Sequence, residues 1–275
     1  MIKVFNPPMT LNADTENTLF GEAIRQWRKT LGLSQMNLAM NADISIKHLS
    51  FLENGRSQPS IDMVMRLCAT LGMPLKSQNS LLVAAGFNPR YRKSALDSAE
   101  MSKVRHALQR MLDHHAPYPA IVMDALGNQL MANSGTIKML LTFLPASTLN
   151  KYSNVYDLYL AEDGLKDYIP EWEDAASVLL QQLQNELLNT SDPAGYDLLN
   201  KFLSWPHIPK DWQYRASKLD QGPIFEFTIK NDTTELSFFS TLTTFGTPQD
   251  ITLQELRIES FYPADESTQR WFGKS

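Results

Sequence analysis

Apolar residues fall at helical spacing through residues 18–87 and give way to short alternating runs only further along the chain. Leu19, Phe20, Ala23, Ile24, Trp27 and Leu31 recur every three or four positions and stop at Gly32, which predicts a first helix. Ser34 is placed to cap a second helix carrying Met36, Leu38 and Ala39. A turn at Asn41-Ala42-Asp43 follows. Ser45 then caps a third helix with Leu49 and Leu52 facing inward, and Asn54-Gly55 ends it. Ser60 caps a fourth helix with an apolar stripe of Ile61, Val64, Leu67, Cys68 and Leu71. Pro74 opens a fifth, with Leu75, Leu81, Leu82 and Ala85, which Gly86 stops. Residues 18–87 therefore read as one all-α five-helix domain, with a flexible polar arm over 1–17 and a short basic linker over 88–97.

Residues 98–275 carry a mixed pattern. An amphipathic helix over 97–114 presents Met101, Val104, Leu108 and Met111 on one side. Ala120–Asp124 and Gln129–Asn133 read as two strands around Leu126-Gly127-Asn128, a hairpin signal. A mainly helical middle over 135–204 includes a long helix at 171–188 opened by Pro170. Three more strands are expected at Ile224–Lys230, Glu235–Phe245 and Thr252–Phe261. The order predicts an α+β domain on one antiparallel sheet.

Charge divides the chain the same way. The whole carries −5, but residues 1–93 hold 11 Lys/Arg against 6 Asp/Glu (+5) and residues 94–275 hold 14 against 24 (−10). A basic module tied to an acidic one fits a nucleic-acid reader joined to a second function. No apolar run approaches the roughly 20 residues that span a bilayer. The N-terminus lacks the features of a secretory signal, and the single cysteine, Cys68, excludes an internal disulfide framework. The expectation is a cytoplasmic protein with no membrane partner.

The two central helices are joined by a short turn, the spacing that lets the second project into a DNA major groove. Ala39 keeps the helix crossing close. Gln35, in the first turn of the second helix, is a phosphate-contact candidate. Ser45, Ile46 and Lys47 start the recognition helix and would meet the duplex first. Ser50 and Phe51 follow one turn on. Lys47 suits guanine O6/N7, and Ile46 or Phe51 a thymine methyl. Asn54 and Arg56 lie past the helix end, where the phosphate backbone passes. The bland alternative, an exposed helix of an interaction domain, leaves the agreement of turn, caps and flanking helices unexplained.

The stretch GEAIRQWRKTLGLSQMNLAMNADISIKHLSFLENGRSQPS resembles the XRE-type, lambda-repressor-like helix-turn-helix family. That resemblance implies a structural pair between Arg28 and Glu53 that orients the recognition helix, and it puts Phe51 where many relatives carry a polar base reader. The segments HLSFLENGRSQPS, PLKSQNSLLVAAGF, HHAPYPAIVMDALGNQLMANS and LSFFSTLTTFGTPQDITLQELRIESFYPADE resemble the MmyB-like regulators. This second resemblance implies a PAS-like ligand-sensing domain, with a fatty acid among the possible effectors. It also implies a homodimer on double-stranded DNA with a near-palindromic operator.

A small apolar ligand needs aromatic walls and a few polar groups. Tyr156, Trp172, Trp205, Phe227, Phe238 and Phe245 are wall candidates; Asn133, Thr241 and Arg257 are polar ones. Taken singly, each aromatic is better explained as simple core filling. Phe238 and Phe239 are adjacent, so only one can face the helices. Asp113-His114-His115 lacks further His or Cys at ligand spacing, so no metal site is expected. No serine, cysteine or carboxylate arrangement amounts to a catalytic constellation, and no cofactor is implied. The reading is a ligand-responsive transcription regulator rather than an enzyme. The rivals are a constitutive DNA-binding adaptor, whose second domain only dimerises or recruits a protein, and a DNA-tethered catalyst.

Overall fold

A computed structural model describes residues 13–190, 193–219 and 226–273. It divides the chain into two compact units, Met1–Lys93 with Thr247–Gln254, and Ser94–Gly246 with Glu255–Ser275.

The first unit contains α1 (Ala13–Thr30), α2 (Gln35–Asn41), α3 (Ile46–Glu53), α4 (Ile61–Thr70) and α5 (Leu75–Ala84). Serine caps set three of the starts. The hydroxyl oxygens of Ser34, Ser45 and Ser60 accept from the backbone N–H of Asn37, His48 and Met63 at 3.0, 3.1 and 3.2 Å. The periodic apolar faces close on a core of Phe20, Ile24, Leu38, Leu49, Leu52, Leu67 and Leu82. Cys68 is part of it, and burial pushes its thiol up to about 12, so it packs as a small apolar group.

Two expectations change here. α1 begins at Ala13, so part of the stretch read as an arm is helical, and residues 1–12 lie outside the described residues. The stretch read as a linker is held at its start. Asn79 of α5 donates to Tyr91 O at 2.7 Å and accepts from the N–H of Arg90 and Tyr91 at 2.9 and 3.0 Å.

In the second unit α6 (Ser102–His115) precedes β1 (Ala120–Met123) and β2 (Gln129–Ala132). A helical stretch follows: α7 (Ser134–Phe143), α8 (Ala146–Lys151), α9 (Val155–Leu160), a 3-10 turn at Lys166–Tyr168, α10 (Trp172–Thr190), α11 (Pro193–Leu203) and α12 (Trp212–Lys218). Then come β3 (Glu226–Lys230), β4 (Glu235–Thr243), α13 (Ile251–Glu255), β5 (Arg257–Pro263) and α14 (Glu266–Trp271). The five strands form one antiparallel sheet in the order β2-β1-β5-β4-β3, as the α+β expectation requires.

Register decides which side chains share a face. Ile121 stands opposite Glu259, Glu259 opposite Leu242, Ser240 opposite Phe261, and Phe227 opposite Phe238. Ile121, Phe238 and Phe261 join the core with Leu140 and Phe143 of α7 and Leu180 and Leu183 of α10. This is the inner face. On the other face Phe239 stacks on Tyr262 with ring centres 5.2 Å apart, and His115 meets Tyr262 edge-on at 4.9 Å. Phe238 and Phe239 thus face opposite ways, as adjacent strand residues must.

The last strand differs from expectation. Thr252 does not open a strand; residues 251–255 form α13, and β5 starts at Arg257. Asp250 is the local cause. Its carboxylate accepts from the Thr252 N–H at 2.8 Å and its carbonyl from the Gln254 N–H at 3.1 Å, which fixes a helical turn despite a β-prone sequence. The start of the strand expected at Ile224 lies outside the described residues. Among the described residues no helix is long and apolar enough to cross a membrane.

Candidate nucleic-acid interface

The projecting helix α3 is built from its inward side. Leu49 and Leu52 are fully buried, which turns Ser45, Ile46 and Lys47 outward; all three are exposed, Ile46 at 47%. Phe51 is 37% exposed, and the Lys47 ammonium lies 5.7 Å from its ring centre, so the two form one amphipathic ridge. Ser50 is half-buried beside them, and Arg56 stands exposed beyond the helix end. The turn into α3 is tight: Asp43 adopts φ +52°, a left-handed conformation that a short polar side chain tolerates.

What holds α3 at its angle is a polar network behind it. Arg28 of α1 grips Glu53 through Nε to Oε1 at 2.6 Å and Nη2 to Oε2 at 2.9 Å, and it also donates to Leu33 O at 2.9 Å. Gln35 donates to Glu53 Oε2 at 2.8 Å. Arg25 donates to Glu53 O at 2.8 Å and to Asn54 Oδ1 at 2.6 Å. Burial pushes the Glu53 carboxyl up, but the hydrogen bonds from Arg28 and Gln35 and the two arginine charges outweigh it and hold it below the usual range. Conversely, the hydrogen bond to Glu53 raises Arg28.

The network gives two of the predicted contact residues a structural task. Gln35, read from its helix position as a phosphate contact, donates one of its two amide N–H groups to Glu53 and so ties α2 to α3. Asn54 donates to Ser50 O at 2.7 Å and accepts from Arg25, so it fastens the end of α3. Arg25 and Gly21 went unnoticed in the sequence, although Arg25 lies one helical turn before Arg28. A Cβ on Gly21 would meet Leu52 O, and Glu53 O at 2.8 Å, so only glycine lets the α1 backbone pass against the end of α3.

The residues proposed to line a ligand pocket in the second unit scatter. Asn133 is not on a strand. It is the N-cap of α7, and its buried amide serves backbone groups of Leu112, Tyr118, Ala120 and Thr136. Thr241 stands opposite Ser260 on the outer face and is exposed. Phe245 lies beyond the end of β4. Trp172 is buried in the helical layer, with Nε1 donating to Tyr159 O at 2.8 Å. Trp205 packs edge-on against Phe202, ring centres 5.2 Å apart. Phe227 and Phe238, ring centres 5.6 Å apart, do lie on the inner face with Arg257.

Besides Arg257, that face holds polar groups that the sequence did not single out. Ser240 donates to Glu259 Oε1 at 2.8 Å, and Arg257 donates to Glu186 Oε1 at 2.7 Å. Burial pushes the Glu259 carboxyl up. Tyr156 is pushed up to about 12 by burial, then by the charges of Glu186 and Glu259. Tyr159 is raised as well, by burial and Glu259. The alternation Arg257, Glu259, Phe261 was the readable signal for this arrangement.

Two family models match the chain. The family model for the MmyB-like transcription regulator ligand binding domain matches residues 104–273, more than half of the chain, and a helix-turn-helix family model matches residues 24–77. HTH-type transcriptional regulators of Mycobacterium bovis and Mycobacterium tuberculosis are 33% identical over 135 residues, 48% of this chain and 50% of each relative. The chain thus aligns with about half the length of the curated relatives it matches. Among solved structures, the clp gene regulator ClgR from Corynebacterium glutamicum is 25% identical over 40% of this chain and 99% of its own, with a TM-score of 0.24. The restriction-modification controller protein C.AhdI from Aeromonas hydrophila is 24% identical over 23% of this chain and 96% of its own, with a TM-score of 0.22.

Proposed function

The chain belongs to the MmyB-like transcription regulators, and from that premise we propose that it is a sequence-specific DNA-binding regulator whose second unit senses a small apolar metabolite. One observation carries the first half: α3 is capped by Ser45, locked from behind through Glu53, and presents Ser45, Ile46 and Lys47 outward at its N-terminal end. A recognition helix needs that combination of rigid seating and a free leading turn. Lys47 supplies the charge, and Ile46 with Phe51 supplies apolar contact suited to thymine methyl groups.

The second half rests on the inner sheet face. Phe227, Phe238, Tyr156 and Tyr159 give apolar walls, and Ser240, Arg257 and Glu259 give a few polar groups among them, the composition a small-molecule site uses. A fatty acid is one effector of that class. The protein acts as a homodimer on a near-palindromic operator, because a single +5 module offers few phosphate contacts. It performs no catalysis. One observation favours a second reading, a constitutive adaptor: Phe227, Phe238 and Phe261 already pack on one another, with ring centres 5.6 to 6.3 Å apart.

Selection of random duplex DNA with the full chain tests the first half. Enrichment of two half-sites with centres about 34 Å apart is expected, and failure to enrich any sequence overturns it. Native mass spectrometry after mild extraction tests the second. One small molecule per chain supports the sensor, and an empty chain that still binds operator supports the adaptor.

A further inference from the structure

The run GTPQDITLQELRIE is conspicuous in the sequence, yet DNA reading and sensing leave its first half without a task. β4 and β5 are antiparallel neighbours, which a hairpin loop of a few residues can join. Here the connection takes residues 244–256, and Thr247–Gln254 within it belongs to the first unit. The segment is built into that unit. Ile251 is 5% exposed, and its N–H donates to Arg92 O at 2.9 Å. Gln254 Oε1 accepts from the N–H of Leu75 at 2.7 Å.

The last bond answers a chemical need of α5. The first N–H groups of a helix have no partner within it, and a side-chain oxygen at the N-cap normally accepts from one. α2, α3 and α4 carry Ser34, Ser45 and Ser60 there, whereas α5 has Pro74, which makes no side-chain cap bond. Gln254 supplies an acceptor from 179 positions away. α5 in turn packs on α1, the helix that holds Glu53 of α3 through Arg28. On its far side the same connection runs directly into Arg257 and Glu259 of the inner sheet face, three and five residues beyond Gln254.

We propose that the β4–β5 connection is the signal arm of this protein, with Gln254 a positioning residue of the reading head that reports the state of the inner sheet face to α5. The inference rests on reading the first unit as the DNA-binding head and the second as the sensor. Its physical content is a covalent path of a few residues from the sensing face to a helix cap, separate from the chain crossing near Lys93.

Hydrogen exchange of the full-length chain tests the arm without DNA. Gln254→Ala speeds exchange at the Leu75 amide and the first turn of α5 by about 2- to 30-fold, the range expected for a lost cap. Gln254→Glu, which keeps an acceptor oxygen, stays near the parent. Glu259→Gln, a change confined to the inner face, alters exchange over 75–78 in the parent and not in the Gln254→Ala background. Unchanged exchange at Leu75 in Gln254→Ala overturns the cap, and a Glu259→Gln effect that survives Gln254→Ala overturns the arm. If the exchange results hold while the parent binds no duplex, the arm stands and the DNA reading falls.

Discussion

The guanidinium of Arg28 and the carboxylate of Glu53 meet through two parallel hydrogen bonds, at 2.6 and 2.9 Å, with the Glu53 side chain wholly shielded from solvent. The pair joins helices 25 positions apart in sequence, and its role is orientation more than net stability, because desolvating both charges offsets most of their attraction. Removing one partner is a different matter. Arg28→Ala takes the bidentate partner from buried Glu53 and leaves it Gln35 and the more distant Arg25, while Glu53→Ala leaves the Arg28 guanidinium without its counter-charge; each should cost up to about 3–5 kcal/mol, read from denaturant unfolding of the first unit.

The same pair sets an acid limit. Glu53 is held below the usual carboxylate range, so its contribution is fully present above the unfolded value and lost as pH falls through the folded one. The first unit should therefore lose stability progressively below about pH 4.3, and Glu53→Gln should remove that dependence. An unaltered pH profile in the variant would show that other carboxylates set the limit.

Lys47 offers the cleanest probe of the ridge proposed to face the duplex. Its side chain is exposed and lies over the Phe51 ring, so Lys47→Ala should leave unfolding within about 0.5 kcal/mol of the parent. Affinity for selected duplex should fall, and the slope of log K against log salt should shrink by about 0.9 if the lysine meets a phosphate. Fluorescence anisotropy across a salt series measures both, and unchanged values would misplace the recognition helix.

Gly21→Ala should differ from Lys47→Ala by costing stability. The added methyl collides with backbone carbonyls of Leu52 and Glu53, which cannot swing aside as a side chain can. A loss of about 1–3 kcal/mol is expected from the forced separation of α1 and α3, together with weaker DNA binding although Gly21 is itself buried. Parent-like melting would mean that the two helices part freely.

Glu259 carries the opposite pH sign from Glu53. Burial raises its carboxyl, and the bond from Ser240 offsets this only in part. The native state then holds the proton more tightly than the unfolded chain, so stability falls as pH rises from the unfolded value through the folded one. Glu259→Gln should stabilise the second unit at pH 7 and flatten that decline, as followed by exchange in the β4 and β5 amides.

The sequence by itself determined whatever a few neighbouring residues can encode. Serines at three helix starts, apolar stripes at helical spacing and the order of strands within the second unit are local signals, and the elements formed where those signals lay. The Arg28–Glu53 pair was legible only through resemblance, since nothing within 25 positions of chain names a partner. The tertiary structure alone decided the rest. It made Gln35 and Asn54 struts of the reading head, because Glu53 and Arg25 arrive from other helices. It put Ser240 on the inner face and Thr241 on the outer one, because strand register fixes faces and a shift of one residue would exchange them. It made Thr252 helical, because Asp250 bonds the backbone beside it. And it gave α5 its cap from Gln254, a partner 179 residues distant that no local pattern could have named.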